Sequence, residues 1–204
     1  GLPGLLMLSS QVDRTEPLTI YGPARLADYI ESSRKILDMY INYEIRCIPL
    51  EPGVIAECDE YHINCFPLKH TKQCFGYSIV EKERPGAFSV ERALELRVPK
   101  GPLWGKLQRG EDVMNSDGVV IHPSDVLGEK RSGRKFSFVT DTMYFPEIAD
   151  YVYGSDILFC EAMFSDDLEA DAREKKHMTA RQAAMCARDG EVGMLCLQHY
   201  SPRY

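Results

Sequence analysis

Short apolar runs bounded by polar or turn residues recur along this chain, and they predict buried strands. Ile63-Asn64-Cys65-Phe66-Pro67-Leu68 leads to His70, and Phe136-Ser137-Phe138-Val139 leads through Thr140 to Asp141. Ile157-Leu158-Phe159-Cys160 leads to Glu161, and Met194-Leu195-Cys196-Leu197 leads through Gln198 to His199. Ligands of open α/β sheets sit beyond the carboxyl ends of the strands. Four polar residues far apart in sequence are therefore candidates for one shared site.

The rest of the pattern is mixed. Leu18–Tyr21 reads as a strand closed by Gly22-Pro23, and Leu26, Tyr29, Ile30, Ser33, Leu37 and Tyr40 recur at helical spacing. Further strands are predicted near residues 43–50, 61–68 and 75–80. Asp117-Gly118 between Asp112-Val113-Met114 and Val119-Val120-Ile121 signals a hairpin. Beyond residue 135, strands alternate with helices: one begins near Pro146, one spans about 166–176, and one opens on the capping box Thr179-Ala180-Arg181-Gln182. The second half thus has βαβ rhythm and the first half antiparallel pairing, which together predict a layered α/β (α+β) fold. Residues 82–110 break the rhythm. They are rich in Pro, Gly and basic residues, predict little core of their own, and hold Trp104, the only tryptophan.

Composition narrows the class. The chain has 204 residues, 44% hydrophobic and 27% charged, enough for one substantial core. No apolar stretch approaches the length of a membrane helix, and Gly1–Leu6 lacks the charged start of a signal peptide. Seven cysteines without a C-x-x-C favour reduced thiols in a cytoplasmic protein. A net charge of −7 argues against general nucleic-acid binding but leaves room for a local basic patch. Lys100, Lys106 and Arg109 in the irregular segment can supply one.

His70, Asp141 and His199 are a ligand set suited to Zn2+ or Mn2+, although three residues cannot complete two sites. Spacing alone equally allows hydrogen-bonded core or surface polar groups. Glu161 and His177 form a second pair, in which a carboxylate orienting an imidazole makes a proton donor. The alternative is a strand-end glutamate and a loop histidine. His62 and His122 read as structural.

Several stretches together closely resemble the ribonuclease Z family of tRNA 3′-end processing endonucleases, within the metallo-β-lactamase superfamily. They are Gly1–Leu6, Pro67-Leu68-Lys69-His70, Val98–Leu103, Thr140-Asp141-Thr142, Glu161-Ala162-Met163-Phe164, His177-Met178-Thr179 and His199–Tyr204. The resemblance implies a four-layer αββα sandwich, incomplete at both ends of this chain, and a di-zinc site. Within that site His70 and His199 resemble ligands of different ions and Asp141 the bridge. Glu161 and His177 resemble the pair that protonates the leaving 3′ oxygen, and Arg203 a phosphate contact. Residues 82–110 resemble a tRNA-gripping arm inserted in a single 1–204 domain, with Lys100, Gly101, Pro102, Lys106 and Arg109 as substrate contacts. Precursor tRNA as substrate, a homodimer and no membrane association follow from the same resemblance. Met163, Met178 and Thr140 depart from the family pattern. The family's H-x-H-x-D-H run is absent before Gly1, so this chain is expected to be an inactive part of a longer enzyme. The competing expectations are a related hydrolase of small phosphodiesters or aryl sulfates and a non-catalytic tRNA-binding or dimerisation fragment.

Overall fold

The computed structural model describes residues 1–201; Arg203 lies outside them. The chain forms two compact units. One comprises Gly1–Cys58, His62–Ile79 and the residues from Phe136 on, and the other Asp59–Tyr61 and Val80–Lys135.

The first unit begins with α1 (Leu2–Gln11), β1 (Leu18–Gly22), α2 (Leu26–Ile36) and β2 (Ile45–Pro49). β1 and β2 pair in parallel, and Leu6, Ile30, Met39, Ile41 and Tyr43 form a core beside them. The Tyr43 hydroxyl donates to the Leu6 carbonyl at 2.9 Å, so even the polar tip of this core is satisfied. The predicted helix through Tyr40 stops at Ile36. Asp38 takes a positive φ of 48°, which ends the helix, and Leu37 and Tyr40 are exposed.

A six-stranded sheet follows, built from β3 (Gly53–Glu57), β4 (Tyr61–Leu68), β5 (Cys74–Glu81) and, later in the chain, β8 (Lys135–Val139), β9 (Ile157–Glu161) and β10 (Met194–Gln198). Its order is β10-β9-β8-β5-β4-β3. The sequence reading missed β3, an edge strand with an exposed Val54 and a register shift between Val54 and Ala56. Such irregularity blunts an edge and also erases the alternating pattern. Pro67 lies past the paired part of β3 and β4, so its missing N–H interrupts no bond of that ladder.

The second unit carries α3 (Val90–Glu95), α4 (Pro102–Gln108) and the hairpin of β6 (Val113–Met114) and β7 (Val120–Ile121). At the hairpin's turn the Asn115 side chain accepts from the N–H groups of Asp117 and Val119, and Gly118 supplies the positive φ. Contrary to the sequence expectation, this unit has its own core. Ala93, Val98 and Leu107 pack with Val113, Ile121 and Val126, flanked by Phe88, Leu103 and Trp104. Its apolar residues are spread among prolines and glycines and half of them lie beyond residue 110, so no single window reveals them. The compact unit correspondingly extends past 82–110 to Lys135. Trp104 anchors this core, with Nε1–H donating to the Val98 carbonyl at 3.1 Å and its ring 5.2 Å from that of Phe88.

Returning to the first unit, β8 (Lys135–Val139), α5 (Ile148–Val152), β9 (Ile157–Glu161), α6 (Glu169–Lys175), α7 (Ala180–Asp189) and β10 (Met194–Gln198) complete the fold. β8, β9 and β10 are parallel, as the βαβ rhythm predicts. Val139, Leu158 and Cys160 pack against Ile148 and Val152 of α5 and Ala183 and Cys186 of α7. The capping box of α7 forms: Thr179 accepts from Gln182 N–H at 3.3 Å, and the Gln182 side chain accepts from Thr179 N–H at 3.0 Å. Under the sheet, Ser78, Ser137 and Ser155 link hydroxyl to hydroxyl at 2.7 Å per step, and Ser155 closes on the Val152 carbonyl. All seven cysteines are free thiols, and among the described residues no helix is long and apolar enough to cross a membrane.

Two predictions follow from the second unit. Gly101 opens α4 at φ 135°, a region nearly closed to other residues, whereas Gly105 sits within the helix. Gly101→Ala should destabilise α4 by about 1–3 kcal/mol, read as faster amide hydrogen exchange there, while Gly105→Ala should slow that exchange. His122 Nδ1 lies 3.0 Å from Asp112, whose hydrogen bond and charge raise the imidazole pKa above 6.5. The resulting stabilisation is full below pH 6.5 and is lost as pH rises through the raised value. An NMR titration of His122 should show the elevation, and Asp112→Asn should abolish it.

Candidate active site

The registers of the parallel strands fix where their ends lie. Val139 and Leu197 both align with Cys160, and Gln198 with Glu161, so β8, β9 and β10 finish at one edge of the sheet. Asp141 stands two residues past β8, Glu161 ends β9, and His199 follows β10 with a positive φ of 58°. His70 reaches the same edge through backbone bonds. Lys69 N–H donates to Thr142 Oγ1 at 3.0 Å, and Met143 N–H donates to the Lys69 carbonyl at 2.9 Å. The loop after β4 is thus stapled to the loop after β8.

Three imidazoles and a carboxylate meet there. The His177 ring centroid is 4.9 Å from that of His70 and 5.4 Å from that of His199, and His199 Nε2 is 3.6 Å from Asp141. One potential ligand atom from each of His70, Asp141 and His177 lies within 4.8 Å of the others. The spacing argument grouped His199 with His70 and Asp141. The compact triple instead contains His177, with His199 beside Asp141.

His70 Nδ1 is 2.9 Å from the carbonyl of Lys176, a group that can only accept. Nδ1 therefore carries the proton and Nε2 keeps its lone pair, which is how ligating histidines are commonly oriented. Lys176 presents that carbonyl because it ends α6 in the left-handed conformation, φ 56°. These donors, imidazole nitrogen and carboxylate oxygen, fit a divalent ion of intermediate hardness. They do not amount to two complete ligand sets.

Behind them Glu161 is fully buried. Its Oε1 accepts from Thr142 N–H and lies 2.9 Å from His177 Nδ1, while Oε2 accepts from Met178 N–H at 3.3 Å. Burial pushes the Glu161 carboxyl up to about 7, aided by the Asp141 charge and opposed by backbone N–H groups of Thr142, Met178 and Met163. Burial also lowers the His177 imidazole, against the pull of Asp141. Both shifts have one cause: the low-dielectric surroundings disfavour a separated ion pair.

Thr142 was recognised in the sequence as a neighbour of Asp141, but its hydroxyl binds the His70 loop. Thr140 binds Cys74 and the Phe75 carbonyl in the same way. The Lys176 carbonyl is a backbone group without a sequence signal. Lys100, Gly101, Pro102, Lys106 and Arg109 belong to the second unit. Lys100 stands 6.0 Å over the Trp104 ring, and Arg109 pairs with Glu111 at 3.0 Å. His62 lies on β4, and His122 follows β7 in the second unit.

The beta-lactamase superfamily domain profile matches residues 110–200. Among solved structures, human tRNase Z, short form, superposes with a TM-score of 0.65 at 22% identity, covering all of this chain and 68% of that one. A metallo-β-lactamase fold protein from Bacillus subtilis superposes with 0.57 at 18% identity, covering 98% of this chain and 58% of that one. This chain therefore has the metallo-β-lactamase fold. Among curated proteins, Ribonuclease Z of Treponema denticola is 59% identical over all of this chain and 67% of its own length. Ribonuclease Z of Treponema pallidum is 54% identical over all of this chain and 66% of its own. The chain spans about two thirds of the length of these relatives. With His70, Asp141, Glu161, His177 and His199 gathered at one edge of this sheet, and with this identity along its whole length, the chain belongs to the ribonuclease Z family.

Proposed function

We propose that the protein is a metal-dependent endoribonuclease that removes the 3′ trailer of precursor tRNA by hydrolysing the phosphodiester after the discriminator base. The observation that carries this reading is the convergence of His70, Asp141, His177 and His199 in front of the buried Glu161, in a chain 59% identical to a Ribonuclease Z.

His70 offers Nε2, and His199 and Asp141 offer an imidazole and a carboxylate able to bridge. Zn2+, two per complete site, or Mn2+ would supply there an activated water and stabilisation of phosphate charge. Glu161 holds His177 through Nδ1 and leaves Nε2 as the atom that gives a proton to the departing 3′ oxygen. A fixed imidazole within reach of the leaving group contributes typically about 100- to 10,000-fold. His177 is also close enough to His70 and Asp141 to share their ion. Its 2.9 Å bond to Glu161 sets the ring's direction for either role; the resemblance of Glu161 and His177 to the family's proton-donating pair favours proton transfer.

The second unit is the tRNA grip in this reading. Lys100 and Lys106 contribute charge, and the Gly101-Pro102 start of α4 shapes the surface that carries it. An acidic chain needs such concentrated charge to hold RNA. A homodimer is supported by the apolar side chains left exposed on α1 and just after it, Leu5, Leu8 and Val12. Seven unpaired thiols support a reducing, cytoplasmic setting.

In the full-length protein, His70→Ala or Asp141→Ala should lower bound metal after dialysis and slow trailer removal by at least about 100-fold. A wild-type protein loaded with zinc that binds precursor tRNA yet never cuts the trailer would overturn the reading. Glu161→Gln should lower kcat by about 100-fold or more with KM little changed. It should also cost about 1–3 kcal/mol of stability, because an amide NH2 would face N–H donors. Single-turnover kinetics and urea unfolding separate the two effects.

A further inference from the structure

Beside His177 the first unit has a recess of about 210 Å3 lined by Met143, Tyr144, Glu169, Arg173 and Gln182. Its walls are fixed by the fold. Met143 and Tyr144 are half-buried, and Tyr144 packs on the main core. The capping box holds the Gln182 carbonyl oxygen on Thr179 N–H, and Gln182 Nε2–H in turn donates to Glu169 Oε1 at 3.1 Å. Among the described residues, Glu169 Oε2 and one amide hydrogen of Gln182 have no partner. Arg173, one turn along α6 from Glu169, makes no side-chain hydrogen bond or ion pair among the described residues. The two arginines of α7 are committed, Arg181 to Asp166 and Arg188 to Asp189.

A fixed carboxylate beside an unpaired guanidinium does not suit a phosphate, which Glu169 would repel. It suits a neutral, flat ring with donors and acceptors along one edge, set against the apolar faces of Met143 and Tyr144. We propose that this recess receives the nucleobase flanking the scissile phosphodiester and selects bases whose edge donates to Glu169 and accepts from Arg173. Guanine fits best: its N1–H and amino group face the carboxylate, and its O6 and N7 face the guanidinium. Uracil fits worst, because its single N3–H lies between two carbonyls that meet the carboxylate. The role at the scissile bond rests on the endonuclease reading of the neighbouring site; the chemistry of the recess does not.

The test is competition among RNA substrates that differ only in the nucleotide on either side of the cleavage point, using the full-length protein. Guanine should outrun uracil by about tenfold at one flank. Glu169→Gln should bring that ratio near one, and Glu174→Gln, on the same helix but outside the recess, should leave it unchanged. The ratio is immune to partial misfolding, which slows every substrate alike. Equal rates for all bases at both flanks, or an unaltered ratio in Glu169→Gln, would overturn the proposal. Should the protein cleave no RNA, calorimetric titration with GMP and UMP decides instead. Tighter GMP binding that Glu169→Gln abolishes keeps the recess while the endonuclease reading fails; equal affinities overturn it.

Discussion

The candidate site depends on one buried carboxylate. Glu161 takes a hydrogen from the backbone of Thr142, another from Met178, and holds His177 at Nδ1. Those three partners sit on two separate segments, Thr142 on the loop after β8 and His177 and Met178 on the connection into α7. Thr142 then carries the connection on to the His70 loop through its hydroxyl. A charge-accepting group at the centre of such a network is expensive to bury and costly to disturb, because every partner would be left unsatisfied together. The loops that present Asp141, His177 and His70 are therefore placed as one body, although each alone is an irregular connection.

Much of this was legible in the sequence for a simple reason. Strands of a parallel sheet read as near-continuous apolar runs, so Phe136–Val139, Ile157–Cys160 and even the half-covered Met194–Leu197 announce themselves, and the polar residue after each run marks the strand's end. The Thr179 capping box and the Asp117-Gly118 turn are equally local. The core of the second unit was hidden because Ala93 and Leu107 lie on two short helices and Phe88 and Val98 on the irregular segments beside them, without a periodic window long enough to register. The end of α2 was hidden because Asp38 terminates it by its backbone angle rather than by a glycine. His177's closeness to both His70 and Asp141 was hidden as well: it arises from the connection between α6 and α7, which no strand pattern describes.

The two units divide the physical labour in different ways. The first buries its polar groups and satisfies them: Glu161, the serine chain and Thr142 all have partners, and no described buried side-chain nitrogen or oxygen lacks one. The second keeps its charge outside a small apolar core. Several of its arginines and lysines pair with nearby acids, as in Arg97 with Asp117 and Lys130 with Glu83. Exposed pairs of this kind contribute little stability, so the second unit's fold rests on Trp104 and its neighbours, and its surface charges are open to rearrangement around a partner.

The left-handed residue at the end of α6 constrains evolution as well as geometry. Lys176 offers only its backbone carbonyl to His70, so its side chain is free to vary. The count of residues ahead of it is another matter. Each residue added to or removed from α6 would rotate that carbonyl by about 100° around the helix axis and shift it by about 1.5 Å, releasing the His70 ring. Relatives that keep this arrangement can change the side chain at 176 while insertions and deletions within residues 169–176 are forbidden, the reverse of the tolerance usual in a surface connection.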